Sequence, residues 1–316
     1  MMSSGDTDTK KAILKTLAFF DIFSYPLTEM EVHKWLWEKK ASFSEVQVAL
    51  EVLVNAEIVG YRDGLYFMPG KEQYIADRRR NYVRAETKYK KIRRAVKLLE
   101  IVPFIRFIGA CNTLSILDFS EESDLDVFII VKKGRLWMAR LAATCIMFTT
   151  GNWRHGKKVK DRICLSFYIT TDTLSLKHIA LAGKDPYLTY WVTFIVPMLD
   201  RGVYTDFVRA NKWILTVIPN MIPYVSLAKR RKVKESVVLR SIRKDVEWML
   251  STWFGDAIEK ICRSIQRKKM EKREEEQGNR NRAIIISDSM LKFHEIDRRE
   301  RYREQWYLRQ KEFVNK

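Results

Sequence analysis

The stretch Ser123-Asp124-Leu125-Asp126-Val127-Phe128-Ile129-Ile130-Val131 constrains this chain more than any other, because it sets two acids at the entrance of a strongly β-prone run. Side chains alternate across a strand, so Asp124 and Asp126 project to one face while Leu125 and Val127 point to the other. Two carboxylates held side by side repel each other unless a cation lies between them. A hard divalent ion with oxygen ligands, Mg²⁺ foremost and Mn²⁺ as its substitute, meets that need. The alternative is a polar strand entrance whose acids face Arg106 or Arg135.

Upstream, Pro103 to Ile108 forms another β-prone run, closed by Gly109-Ala110-Cys111-Asn112, and Thr113 to Glu122 suits a short helix before the acidic turn. Gly109 has no side chain to keep a phosphate away from the backbone. The N-terminus of the following helix would add amide donors for the same anion.

This order of strand, glycine turn, helix, acidic turn and strand, with Gly109-Ala110 and Ser123-Asp124-Leu125-Asp126 as its fixed points, resembles the Gly-Ser…Asp-x-Asp signature of the polymerase β-like nucleotidyltransferase superfamily. The resemblance implies Mg²⁺ or Mn²⁺ on Asp124 and Asp126, which would be both metal ligands and catalytic residues. It places a nucleoside triphosphate against Gly109, Ala110 and Ser123, and implies transfer of a nucleotidyl unit to an acceptor hydroxyl or amine. Ala110 stands where the superfamily has a serine whose hydroxyl holds a phosphate.

The superfamily also carries a third carboxylate on a later strand. The matching stretch here, Ile163 to Thr170, contains no acid. With Ile163, Leu165, Phe167 and Ile169 on the core face, Cys164 and Ser166 take the positions from which an acid would point at the metals. Asp161 and Asp172 flank the strand and would substitute only if the chain bends there, while Glu121 and Glu122 read as turn residues. In two-metal chemistry one ion holds the triphosphate and the other activates the attacking hydroxyl. Two aspartates suffice for the first, so nucleotide binding is better supported than transfer.

Other catalytic patterns are weak. His33, His155, His178 and His294 are scattered, with no nucleophile beside them in sequence. The basic loop Trp153 to Lys160 reads either as a solvated loop or as a phosphate and base contact.

The N-terminal region predicts three helices and a hairpin. Lys11 to Phe23 has helical apolar spacing, and Thr28-Glu29-Met30-Glu31 and Ser42-Phe43-Ser44-Glu45 both fit the capping box. Val32, Trp35 and Leu36 would face inward from the second helix, and Val46, Ala49, Leu50 and Leu53 from the third. Asp63-Gly64 between Ile58 to Arg62 and Leu65 to Met68 is a hairpin signal. Together these resemble a winged helix-turn-helix. Its third helix holds Glu45, Glu51 and Glu57 and no cation, which favours a protein partner over the DNA groove.

A basic run from Lys71 to Glu100 predicts a long helix, either solvated or tracking a phosphate backbone. The apolar stretches at 136–150, 187–199 and 213–227 read as buried helices, with a peripheral membrane role as the alternative, and none is long enough to span a membrane. Asp185 to Lys212 is expected to be helical, its aromatics forming core or a lid over the nucleotide. Arg263 to Arg282 reads as a mobile linker, followed by Ile284 to Ile286, Ser287 as an N-cap and a charged helix from Met290 to Phe313 that docks back on the body.

Charge sets the partner class. Lysine and arginine number 58 against 39 acids, a net of +19, which favours polyanions and makes RNA a more attractive acceptor than a neutral metabolite. Cys111, Cys145, Cys164 and Cys262 have no metal-ligand spacing and suggest a reducing compartment, and the first residues lack a signal peptide's apolar stretch. The expectation is therefore a cytoplasmic α+β protein: a winged helix (1–70), a basic linker helix (71–100), a nucleotidyltransferase-like mixed sheet with flanking helices (101–180), a helical extension (181–262), and a basic linker with a docking helix (263–316). Its expected activity is Mg²⁺-dependent nucleotidyl transfer. The alternative is a catalytically degenerate relative that binds nucleotide or nucleic acid in a regulatory role.

Overall fold

The computed structural model describes residues 4–314 apart from 113, 115–119, 157, 223–228, 278–283 and 294–296. The expected helix after Asn112, the stretch 278–282 of the expected linker, and His294 therefore lie wholly or largely outside the described residues.

Helices α1 (Ser4–Asp21), α2 (Glu29–Lys34) and α3 (Phe43–Asn55) lead into the ribbon β1 (Gly60–Arg62) and β2 (Leu65–Phe67). Both capping boxes form: Thr28 with Glu31, and Ser42 with Glu45, each satisfy first-turn amides reciprocally. At the hairpin both Asp63 and Gly64 take positive φ, 54° and 76°, the conformation that lets a two-residue turn follow the strand twist.

Helix α4 (Gln73–Leu99) carries the basic run and ties separate parts of the molecule together. Arg78 makes a two-pronged ion pair with Glu31 at 2.8 and 2.9 Å and lies over the Tyr25 ring. Lys88, although 5% exposed, ends at the Ser123 carbonyl and at Asp161. Arg78 and Lys88 thus fasten the helix to the rest of the molecule, while Arg79, Arg80, Arg84, Lys90, Arg93, Arg94 and Lys97 face solvent.

A six-stranded sheet follows in the order β6-β3-β4-β5-β8-β7, built from β3 (Ile105–Ala110), β4 (Leu125–Val131), β5 (Ile163–Thr170), β6 (Val196–Asp200), β7 (Ile284–Ile286) and β8 (Met290–Phe293). Among the described strands only β4 and β5 run parallel, linked by α5 (Leu136–Thr149). Both faces of the sheet are covered. Phe107, Phe128, Ile130, Phe167 and Ile169 join a core with α1 to α3, α6 (Pro186–Thr193), α7 (Tyr204–Ala210) and Trp306 of α10 (Arg299–Val314). Ile108, Val127, Ile129, Leu165 and Tyr168 join a second core with α4, α5 and α9 (Trp253–Gln277). The N-terminal helices therefore share a core with the sheet.

Several expectations change. The segment 185–212 is not continuously helical: Val196 to Asp200 leaves α6 to become an edge strand on β3, which is where a sheet tolerates Pro197. Residues 263–277 belong to α9 rather than to a linker. Ile284–Ile286 and Met290–Phe293 form a hairpin, and Ser287 caps its turn by accepting from the Met290 amide at 2.9 Å instead of starting a helix. That helix, α10, begins at Arg299. The tail does dock, since β8 pairs with β5.

Trp306 fixes α10 to the N-terminal helices. It is fully buried, stands edge-on to Trp37 at 4.8 Å and donates its indole N–H to the Lys15 carbonyl at 2.8 Å. Trp306→Ala is expected to lower unfolding free energy by about 3–5 kcal/mol, read as a shifted midpoint in urea denaturation.

Candidate functional site

Parallel pairing sets Asp126 beside Cys164, and the next matched pair is Phe128 with Phe167. β5 thus carries one more residue than β4 over this interval, a bulge that breaks the alternation. Cys164, Phe167 and Ile169 end on one face while Ile163 and Leu165 pack on the other. The expectation that Ile163, Leu165, Phe167 and Ile169 share a face fails for this reason, whereas Cys164 precedes the bulge and faces the acids by ordinary alternation, as expected.

Asp124 and Asp126 do converge. A carboxylate oxygen of each and the Cys164 sulfur lie within 4.8 Å of one another. They line a cavity of about 320 Å³ together with Asn112, Ser123, Arg154 and Trp191. Ser123 is committed to its turn: its hydroxyl accepts from the Ser120 amide at 3.0 Å, and its carbonyl accepts from Lys88 Nζ at 2.9 Å.

Three neighbours moderate the carboxylate repulsion. Arg154, which the loop 153–155 lays alongside Ile163, places Nε 3.0 Å from Asp124 and Nη1 3.8 Å from the Cys164 sulfur. Asn112, in the left-handed region at φ 58°, accepts from the Trp191 indole and hydrogen-bonds Asp126. The Cys164 thiol also hydrogen-bonds Asp126. Even so, burial and then the Asp124 charge push the Asp126 carboxyl up to about 6. Burial, and then the Asp126 charge, push the Cys164 thiol well above its ordinary range. It remains protonated and donates.

The donor set suits a hard divalent cation. Asp124 and Asp126 offer oxygens, whereas a proton-bearing sulfur is no ligand for Mg²⁺. Arg106 and Arg135, the alternative partners, are engaged elsewhere, with Glu247 at 2.8 Å and Asp256 at 2.6 Å. Asp161 pairs with Lys88 and Lys91, Asp172 with Lys133, Glu121 with Arg84 and Glu122 with Lys160. None of these acids lines the cavity, and the position beside Asp126 on β5 belongs to a thiol.

No protein-family model, curated protein or solved structure matches this chain.

Gly109 lies within β3, paired with Phe128 and Pro197, and is not among the residues lining the cavity. A Cβ there would fall 2.5 Å from the Ile195 side chain and 2.8 Å from the Phe107 ring. The space that glycine leaves is therefore occupied by the turn into β6. Ala110 is fully buried one residue further on.

The tail completes the cavity, which sequence reasoning missed. Lys292 of β8, Asp297, Arg298, Arg299 and Tyr302 all line it. Arg299 is buried against Asp297 at 2.6 Å and Asp185 at 3.2 Å. Burial, followed by the Arg299 charge, lowers the Lys292 ammonium to about 8, against the opposing pull of Asp297 and Asp185. Tyr187 and Tyr302 stack at 5.0 Å on the same lining. The run Asp297-Arg298-Arg299 directly after a β-prone stretch was the available signal. Asn211, by contrast, is fully used inside the fold, accepting from the Leu176 amide and donating to the Leu174 and Phe207 carbonyls.

Two outcomes follow. Gly109→Ala should cost about 1–3 kcal/mol through overpacking, seen as a lower melting temperature in ligand-free protein; an unchanged melting temperature would return Gly109 to a ligand-facing role. Asp126 binds its proton more tightly folded than unfolded, so stability should fall as pH rises from about 4 to about 6 and stay lowered above that. Asp126→Asn should flatten this segment of a denaturation-midpoint profile and stabilise the metal-free protein at neutral pH.

Proposed function

We propose that the cavity binds a nucleoside triphosphate with a divalent cation and that the protein transfers a nucleotidyl unit to an acceptor hydroxyl, RNA being the acceptor class favoured by the +19 charge. The observation that carries this reading is the convergence of Asp124 and Asp126 in a cavity that also holds Lys292 and Arg298. The three N-terminal helices and their ribbon support a winged helix-turn-helix reading, with α3 exposing Val48 and Val52 as well as its acids for a protein partner.

In this reading Asp124 and Asp126 hold the cation, and Arg154 fixes the Asp124 rotamer. Bound there, the cation would stabilise charge on the phosphates as the α-phosphate is attacked. Lys292 and Arg298 would carry the phosphate tail, and the rings of Trp191, Tyr187 and Tyr302 offer apolar faces to a base. The acceptor hydroxyl would give its proton to water and form the new bond to the α-phosphorus while the bond to the β-phosphate oxygen breaks and pyrophosphate leaves.

A second reading has support of its own. Cys164 occupies the place on β5 where the superfamily would carry an acid, and Arg154 already holds one oxygen of Asp124. That arrangement favours retention of nucleotide without transfer, as a regulatory binding module.

Incubation with each labelled triphosphate, Mg²⁺ or Mn²⁺ and bulk RNA separates the two. Incorporation that Asp124→Ala with Asp126→Ala lowers at least about 100-fold supports transfer. Cation-dependent nucleotide binding without incorporation supports the module. Absence of both would overturn the site.

A further inference from the structure

Helices α8 (Val237–Met249) and α9 present large apolar side chains to solvent. In α8 the buried face is polar: Arg243 is 5% exposed, and Glu247 pairs with both Arg243 and Arg106. Burial works against the Glu247 charge, but Arg106 and the Phe104 amide hold its carboxyl down to about 2. Outward, Val238, Ile242 and Met249 share a face at helical spacing, 67%, 46% and 51% exposed. α9 repeats the pattern with Phe254, Ile261 and Ile265, 47%, 58% and 62% exposed. At the corner between the helices Trp248 and Trp253 are each 79% exposed. Single exposed apolar residues are ordinary, whereas so many on two successive helices mark a contact surface.

Charge identifies the occupant. The exposed cations on this pair of helices are Arg240, Lys244, Lys260, Lys268 and Lys269; the exposed acids among the described side chains are Asp245 and Asp256, of which Asp256 pairs with Arg135. A second copy of this chain would bring like charges together. An anionic lipid surface accepts both components at the Trp248 stripe, where Arg240 and Lys244 precede the tryptophan at four-residue spacing and lay their stems beside it with the charges at the phosphates. Val238 and Ile242 share their stripe with Asp245 and stay outside the contact. Tryptophan is the side chain most at home at that boundary. No described helix is long and apolar enough to cross a membrane, so the attachment lies on the surface.

We propose that the α8–α9 corner docks the protein on an anionic bilayer, with Trp248, Met249, Trp253 and Phe254 inserted at headgroup level and Arg240, Lys244 and Lys260 against lipid phosphates. This face is separate from the carboxylate cavity and does not depend on the reading of that cavity.

The test is flotation of the full chain with vesicles of phosphatidylcholine alone or mixed with phosphatidylserine, beside its mass in solution by light scattering. The wild type should float with the mixed vesicles and not with the neutral ones. Trp248→Ser with Trp253→Ser should weaken binding at least about 10-fold, and Lys244→Glu with Lys260→Glu should do the same at low salt. All four side chains are exposed, and retained circular dichroism melting will show that the fold is intact. The proposal is overturned if the wild type floats with neither vesicle, if the tryptophan variant floats as well as the wild type, or if the wild type is a dimer that the tryptophan variant splits.

Discussion

Two carboxylates brought this close in a partly buried cavity oppose each other, and much of the surrounding structure counters that opposition. The sheet creates the problem, because Asp126 of β4 and Asp124 just before it converge and the β5 position paired with Asp126 holds a thiol rather than a positive group. The response comes from parts far apart in sequence: a guanidinium from the loop after α5, an amide at the end of β3, and the ammonium of Lys88 holding the turn just before Asp124. Arg154 and Asn112 touch the acids and Lys88 holds only the turn before them, and the pair still keeps an elevated proton affinity at Asp126. The proposed cation would remove this residual imbalance, which a fully neutralised ion pair would not present.

The balance of sign across the cavity points in the same direction. The lining holds Asp124 and Asp126 together with Lys292, Arg298 and an Arg299 paired with Asp297. In the proposed function, an anion carrying its own divalent cation would meet both the acids and the cations of this lining. Stacked Tyr187 and Tyr302 and the Trp191 ring leave the rest of the lining apolar. The pocket therefore combines an oxygen-rich end, cations and aromatic faces within one small volume.

Much of this was readable in advance where the signal was local. The two capping boxes, the Asp63-Gly64 hairpin and the shared face of Asp124 and Asp126 depend on residues a few positions apart, and each formed as expected. What failed depended on the whole sheet. Gly109 reads as a phosphate turn until the approach of Ile195 is known, and that contact comes from a segment whose aromatics had suggested continuous helix. The alternation of Ile163 to Ile169 was misleading because apolar layers cover both faces, so periodicity does not reveal a bulge. The β7–β8 hairpin turns through Ser287-Asp288-Ser289 with no glycine to announce it. Lys292 and Arg299 belong to the cavity only because β8 pairs with β5, a relation across more than a hundred residues that no local pattern records.

The pairing of β8 on β5 also gives the cavity a place in time. During synthesis Asp124 and Asp126 leave the ribosome long before Lys292, Arg299 and Tyr302, and until those arrive the acids have a cleft with one side open to water. The cavity is thus completed late, when the tail threads onto the sheet, and a nascent chain halted before β8 would expose the carboxylates without the means to enclose anything against them.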